Sequence, residues 1–238
     1  MLALTGCSAL TGESSDGGGD AAEGSPVSAE IKSWDPCEVL DNLQPIVDFM
    51  HIAEINSSDG QLTSAMYGEG LDAQALTCFG MVIASKFETI YDETKFNEGE
   101  ISVGIIPWDT VEDAELSYEE RTGPDQERRA EGGAGFEFTG EEELTSSEWD
   151  EGKLFVAQDD QSHYYDAYIR DGEWLLWVSI DFNIDNAITY YEANENKLDG
   201  PLEDYLSYEF TPEELQQWLI DEYIPQTHES ISSRIPQE

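Results

Sequence analysis

The feature that most constrains this fold is the Asp171-Gly172 dipeptide, which lies between two apolar, alternating segments. An Asp-Gly pair in this setting indicates a two-residue type I′ β-hairpin turn. The flanking residues 163–170 and 173–182 are therefore predicted to be antiparallel strands. Counting outward from the turn gives one nearly unbroken apolar face; it pairs Ile169 with Trp174, Ala167 with Leu176, Tyr165 with Val178 and His163 with Ile180.

The opposite face of this hairpin is mixed, because it pairs Arg170 with Glu173, Tyr168 with Leu175 and Asp166 with Trp177. We expect it to be lightly covered by a helix or partly exposed. Further strands are predicted over residues 76–85, 101–107, 135–139 and 153–158, and a short exposed helix over residues 110–120. Residues 121–135 are polar and glycine-rich, which predicts a mobile loop.

Two segments carry the pattern of a helix start, with a capping residue, a proline at the first helical position and a glutamate two residues later. Pro45 is expected to kink or break the first helix, and Pro225 is expected to end the second. The pattern occurs as Asp35, Pro36 and Glu38 and again as Thr211, Pro212 and Glu214.

Together these elements predict one α+β domain, an antiparallel sheet of about five to seven strands packed by N-terminal and C-terminal helices. We place this domain at residues 34–225. Residues 8–33 are rich in Gly, Ser and acidic residues, which is typical of a disordered tether. Residues 226–238 are predicted to be a loose tail, and residues 1–7 a truncated lipoprotein signal.

That signal is suggested by Leu4-Thr5-Gly6-Cys7, which resembles a lipobox, the motif where bacterial lipoproteins are cleaved and acylated on cysteine. Six residues precede Cys7 and none is charged, so an apolar signal segment of ordinary length is missing. Either the true start lies upstream of Met1 or the motif is a chance match. If the motif is real, Cys7 carries a lipid and the domain lies outside the cell membrane.

Cys37 and Cys78 remain as an even pair once Cys7 is assigned to the lipid. In an exported chain such a pair predicts a disulfide, because disulfides persist in oxidising compartments. Two buried free thiols are the alternative.

The succession of Cys7, a low-complexity tether, Asp35-Pro36-Cys37 at a helix start and Cys78 at a strand resembles the actinobacterial lipoproteins of the group called domain of unknown function 3558. The resemblance spans about residues 30–225. It implies a lipid-anchored envelope protein and leaves the activity open, because the function of that group is itself unassigned.

The net charge of −43, from 53 acidic and 10 basic residues, argues against nucleic acid as a partner, because phosphate contacts need clusters of Lys and Arg. It argues equally against electrostatic attachment to anionic lipid, so that the membrane partner would be reached through the acyl chains on Cys7.

One segment matches the calcium loop of an EF-hand, with Asp181, Asn183, Asp185 and Glu192 at positions 1, 3, 5 and 12. Position 6 is Asn186 where glycine is expected, and the preceding residues are predicted to be strand rather than helix. The alternative is a strand end followed by a helix capped by Asp185.

The sequence contains no GxSxG, P-loop or HExxH motif. We therefore expect a non-enzymatic, lipid-anchored protein on the outer face of the cell membrane, with a binding or scaffolding role, an unidentified envelope ligand or partner and no cofactor. The alternatives are an exported calcium-binding domain that uses residues 181–192 and a carrier of small molecules or lipids.

Overall fold

The architecture is an eight-stranded antiparallel sheet with helices on both faces, the α+β class that the sequence predicts. It is seen in a computed structural model that describes residues 24–132 and 135–236. The strand order is β1-β3-β4-β8-β7-β6-β5, and β2 pairs with β3 outside this path. The strands are β1 Glu54–Ile55, β2 Thr63–Ala65, β3 Leu76–Glu88, β4 Thr94–Pro107, β5 Glu137–Glu143, β6 Glu151–Gln158, β7 Ser162–Asp171 and β8 Trp174–Asn183.

Eight α-helical segments of the described chain surround the sheet, and short helical turns connect several of them. The segments are α1 Pro26–Ile31, α2 Pro36–Val39, α3 Gln44–Phe49, α4 Val111–Thr122, α5 Pro124–Gly132, α6 Asn186–Asn194, α7 Pro212–Trp218 and α8 Ile224–Ser232. The 3₁₀ turns are Asp41–Leu43, Glu195–Lys197 and Leu202–Asp204, and a π-helical turn covers Leu219–Tyr223.

The two faces of the sheet are covered unequally. The inner face carries Val103, Ala167 and Val178, and it packs on the N-terminal and C-terminal helices in one large buried cluster. The outer face carries Tyr168 and Leu175, and it packs on α4 in a smaller cluster. This division follows from strand geometry, because alternate residues of each strand point to opposite faces.

The β7–β8 hairpin forms, but its turn is one residue later than predicted. Asp171 pairs with Trp174, so the two-residue loop is Gly172-Glu173 and Ile169 pairs with Leu176 instead of Trp174. Gly172 has φ +54° and is the first loop residue, the position where type II′ turns place glycine. The predicted register was therefore wrong by two residues. A shift of two keeps each side chain on its face, so the predicted apolar face is the one that is buried.

The first predicted helix is a short segment that ends before Pro45. The Asp35 side chain caps α2 by accepting a hydrogen bond from the Cys37 amide at 3.0 Å. Asp41, Asn42 and Leu43 then take left-handed φ values of 51°, 50° and 52°. Pro45 stands in the first turn of α3, where its missing N–H costs no helical hydrogen bond.

The folded domain extends beyond residues 34–225 at both ends. In the region assigned to the tether, α1 buries Ile31 completely. In the region assigned to the tail, α8 buries His228 and Ile231. Pro225 does not end the helix, because the preceding π turn lets the Ile224 amide bond to the Leu219 carbonyl, five residues back. Residues 1–23 and 237–238, including Cys7, lie outside the described residues.

Cys37 and Cys78 form a disulfide with their Cα atoms 4.7 Å apart, as predicted. It fastens α2 to β3, and a second link lies beside it. Ser64, the β2 neighbour of Cys78, donates a hydrogen bond to the Asp35 carboxylate at 2.6 Å. The helix cap and the disulfide therefore hold the same corner of the domain.

Removing the disulfide should strongly destabilise the domain, because it closes a loop with a sequence separation of 41. We expect Cys37→Ala combined with Cys78→Ala to lower the free energy of unfolding by about 4 kcal/mol, measured by urea denaturation. Cys7→Ala is the control and should leave the free energy unchanged. A wild-type urea midpoint that does not move on addition of reductant would contradict the prediction.

Candidate binding groove beside helix α5

The outer face of the sheet is covered by two consecutive helices of different character. Helix α4 begins at Thr110, whose hydroxyl accepts a hydrogen bond from the Asp113 amide at 3.1 Å. It buries Ala114 and Tyr118 against the sheet. Helix α5 replaces the mobile loop predicted for residues 121–135, but its described side chains, those of residues 124–129, belong to neither apolar cluster.

The described side chains of helix α5 are held by polar contacts. Its Arg129 guanidinium forms an ion pair with Asp166 of β7, a residue that is only 4% exposed. Its Gln126 amide donates a hydrogen bond to the Arg121 carbonyl at 3.1 Å. Arg128 pairs with Glu120 at 2.8 Å. Such contacts hold a helix less tightly than a buried apolar stripe, because water competes for them.

Between α5 and the sheet lies an open groove of about 440 Å³, which we call the α5 groove. Its volume falls in the range of small-molecule sites, about 300–1,000 Å³. Its floor comes from β7 and β8 and its wall from α5. It is lined by Asp125, Gln126, Arg128, Arg129, Asp166, Tyr168, Trp177 and Ser179.

Gly104, on the neighbouring strand β4, leaves space for Trp177 in the floor of the groove. Gly104 of β4 is the cross-strand partner of Trp177. A Cβ atom at Gly104 would lie 3.0 Å from Cε3 of the indole. A larger residue at this position would therefore require the indole ring to shift.

A second groove, of about 520 Å³, lies against α4 and shares Asp125 with the first. Arg121 joins α4 to Asp72 there through a contact of 2.6 Å. Trp108 lies in this groove as Trp177 does in the first. The groove is lined by Asp72, Gln74, Trp108, Asp113, Leu116, Ser117, Glu120, Arg121 and Asp125.

Both grooves contain buried polar atoms that lack a hydrogen-bond partner among the described residues. In the α5 groove they belong to Trp177 (Nε1) and Gln126 (Oε1), and in the second groove to Trp108 (Nε1). An unsatisfied buried donor or acceptor costs about 1–3 kcal/mol, so folded proteins rarely leave one without water or a ligand nearby. The α5 groove has two such atoms and the second groove has one, so the α5 groove is the candidate binding site.

The charges that line the α5 groove are balanced, although the whole chain is strongly acidic. Two guanidinium groups, Arg128 and Arg129, lie beside two carboxylates, Asp125 and Asp166. Burial alone would lower the pKa of Arg129, but the adjacent charge of Asp166 raises that pKa above its ordinary value. Burial also raises the pKa of the Tyr168 phenol, which therefore stays neutral. The groove thus offers fixed hydrogen-bonding groups without a net charge.

Asp181 of β8 lies on the same sheet face, close enough for its pKa to respond to the charges of Asp166 and Arg129. Burial raises the pKa of its carboxyl to about 6, and the charges of Glu100 and Asp166 add to this effect. A hydrogen bond donated by the Glu100 amide at 3.1 Å opposes it. Asp181 therefore takes up a proton in mildly acidic solution.

The predicted calcium loop does not form. Asp181 and Asn183 belong to β8, Asp185 caps α6, and Glu192 is exposed on that helix, so no twelve-residue loop exists to wrap a cation. The Asp185 carboxylate already accepts hydrogen bonds from the Ala187 amide, Ser207 and Asn97. Among the described residues, no three His, Cys, Asp or Glu side chains are placed to hold a metal ion. The strand-and-cap alternative is the observed one.

A serine, a histidine and an aspartate meet at the end of α8, but they do not have the geometry of a catalytic triad. Ser232 Oγ and Asp171 Oδ2 lie 3.3 Å and 2.9 Å from the same atom, Nε2 of His228. A triad needs the carboxylate on one imidazole nitrogen and the hydroxyl on the other. The ring is buried and stacks on Trp174, with centroids 5.3 Å apart. This cluster therefore serves packing.

Sequence reasoning missed the residues that build the α5 groove, although two signals were present. Three of the five arginines occur at positions 121, 128 and 129, where the chain otherwise carries mostly acidic residues. Asp166 and Trp177 were placed correctly on the mixed face of the hairpin, but what covers that face depends on a helix distant in sequence. Cys7, the predicted lipidation site, lies outside the described residues.

Comparison with known proteins gives little further information. No family model and no curated protein matches the chain. The Saccharomyces cerevisiae Ran-binding protein Mog1p is similar in structure, with 12% identity, a TM-score of 0.27 and coverage of 57% of this chain and 84% of that one. A mutant of the protein Mog1 gives 11% identity, a TM-score of 0.26 and the coverage values of 57% and 84%. Similarity at this level carries no argument about fold or function.

The raised pKa of Asp181 makes the free energy of unfolding depend on pH. Between the unfolded pKa of 3.8 and the folded pKa of about 6, the folded protein keeps a proton that the unfolded chain has lost. The free energy of unfolding therefore falls as the pH rises through this range. Asp181→Asn removes the cost of burying an ionised carboxylate, because asparagine is uncharged. We expect it to stabilise the protein by about 1–2 kcal/mol at about pH 8 and to have little effect at about pH 3.5, measured by urea denaturation.

Asp159→Asn is the matched control. Hydrogen bonds from the Gln161 amide, the Tyr164 hydroxyl and the Ser162 amide lower the pKa of Asp159, so the native protein favours its charged form. This substitution should destabilise the protein at about pH 8. An equal gain from Asp181→Asn at both pH values would show that its carboxyl does not titrate in this window.

Proposed function

We propose that this protein is a non-enzymatic binding protein of the cell envelope, anchored to the outer face of the membrane by a lipid on Cys7. In this proposal the α5 groove holds a small polar ligand. Neither nucleic acid nor a cofactor takes part. The resemblance to the lipoproteins of domain of unknown function 3558 is in agreement with this location.

The observation that carries the proposal is the disulfide between Cys37 and Cys78. Disulfides persist in oxidising compartments and are rare in the cytosol, so the pair supports export. No helix of the described chain combines the length and the apolar character that a membrane span requires. Attachment to the membrane is therefore assigned to the acyl chains on Cys7.

The binding role is supported by the α5 groove, whose polar lining favours a polar ligand. The alternative of an apolar carrier is less favoured, because the layer between the sheet and its N- and C-terminal helices is filled by side chains. Ile46, Met50, Leu215 and Leu219 occupy this layer, and each is at most 1% exposed.

Lipid anchoring is tested by the intact mass of the protein extracted from membranes of its native cells. We expect a chain that begins at Cys7, carries a diacylglyceryl adduct and lacks two hydrogens because of the disulfide. Cys7→Ser is the control, and it should move the protein from the membrane fraction to the soluble fraction without breaking the disulfide.

Recovery of the wild-type protein from the cytosol, with Cys37 and Cys78 both reactive towards a maleimide, would refute the proposed location.

A further inference from the structure

We infer that the α5 groove binds a neutral saccharide, which it recognises by hydrogen bonds to hydroxyl groups and by packing against Trp177. This inference rests on the proposed binding function and specifies the chemical class of the ligand. Three properties of the groove lead to it: its balanced charge, its aromatic floor and its mixture of donors and acceptors.

The first property is charge. Among the residues that line the groove, Asp166 pairs with Arg129 and Asp125 pairs with Arg128. An anionic ligand would have to displace these carboxylates from their guanidinium partners, and a cationic ligand would meet two arginines. A neutral ligand leaves both ion pairs intact, so the groove favours an uncharged molecule.

The second property is the aromatic floor. The Trp177 indole lies against β4, where Gly104 leaves space for it, and its ring lines the groove. Tyr168 lines the groove beside it, and the Arg129 guanidinium lies 5.8 Å from the centre of the Phe136 ring. Flat aromatic surfaces offer dispersion contacts to the C–H faces of sugar rings.

The third property is the alternation of donors and acceptors. Asp166 accepts, Arg129 donates, and Ser179 does both within one groove. Gln126 is 4% exposed, and its Oε1 atom lacks a partner among the described residues. A sugar hydroxyl donates and accepts at once, so neighbouring hydroxyls can bridge a carboxylate and a guanidinium without breaking their ion pair.

The weak attachment of α5 explains how a ligand would reach these groups. The described side chains of α5 contact the rest of the protein through ion pairs and one buried amide. Because the unpartnered atoms of Gln126 and Trp177 are buried, the inference requires a small displacement of α5 to admit the ligand to them. Their burial without a partner lowers the cost of such a displacement.

The test is isothermal titration calorimetry of the full chain with two neutral probes, the N-acetylglucosamine trimer and maltotriose, and one anion, inorganic phosphate. We expect at least one saccharide to bind with an affinity that is unchanged between about 0.05 and 0.5 M salt, because screening acts on charged ligands. Phosphate should not bind.

Two substitutions locate the site. Trp177→Leu removes the packing surface, and Arg129→Lys keeps the charge but loses the planar hydrogen-bonding fork. We expect each to weaken saccharide binding by about tenfold. Trp108→Leu is the matched control, since Trp108 also has a buried, unpartnered indole nitrogen but lines the other groove. It should leave the affinity unchanged.

Melting temperatures separate a lost site from a lost fold. If Trp177→Leu lowers the melting temperature, Trp177→Phe, which keeps an aromatic ring, should restore the fold and part of the affinity. The absence of saccharide binding at about 10 mM, where even millimolar affinity is detected, overturns the inference. So does saccharide binding that is weakened by Trp108→Leu and not by Trp177→Leu.

Phosphate binding that Arg129→Lys weakens would also overturn the inference, because it would show an anion site in the α5 groove. In that case the binding role of the groove would stand and only the ligand class would fail. The membrane location is judged separately, by the mass measurement at Cys7.

Discussion

The pairing of β4 with β8 is the interaction on which the rest of this structure depends. It joins two hairpins that are separated by more than fifty residues of chain. Ile101, Val103 and Ile105 pair with Ile180, Val178 and Leu176, and all six side chains are at most 1% exposed. This buried seam fixes the centre of the sheet, so the helices at both ends of the chain have one apolar surface on which to pack.

The outer face shows how one sheet can serve two purposes. At the end of the face near Trp174, α4 covers the sheet with apolar contacts. Arg170 forms ion pairs there with Asp150 and Glu151, at 2.9 Å and 2.8 Å. Further along the same strands, α5 rests on an ion pair and leaves a groove. The change from apolar to polar contact between consecutive helices separates the part of the face that stabilises the fold from the part that we propose binds a ligand.

Local signals in the sequence were sufficient to predict individual helices and strands, but insufficient to predict how these elements pack together. Three features that depend only on neighbouring residues were predicted correctly. They are the Thr211 capping box, the Asp35 cap and the alternation of apolar residues around Gly172. The hairpin register failed by two residues because it depends on which residue closes the turn. Helices α1, α5 and α8 were missed because they are stabilised by residues distant in sequence, such as Asp166 for α5. The groove was missed for the same reason.

The chain enters the domain at one end of the sheet. Ser25, which precedes α1, bonds to Glu173 in the β7–β8 turn, and Lys32 pairs with Asp109 just after β4 at 3.0 Å. The β3–β4 hairpin runs the other way and presents Tyr91, 63% exposed, at its tip. The point where the described chain enters and the tip of its longest hairpin therefore lie at opposite ends of the sheet, about 45 Å apart at roughly 3.3 Å per residue of β4.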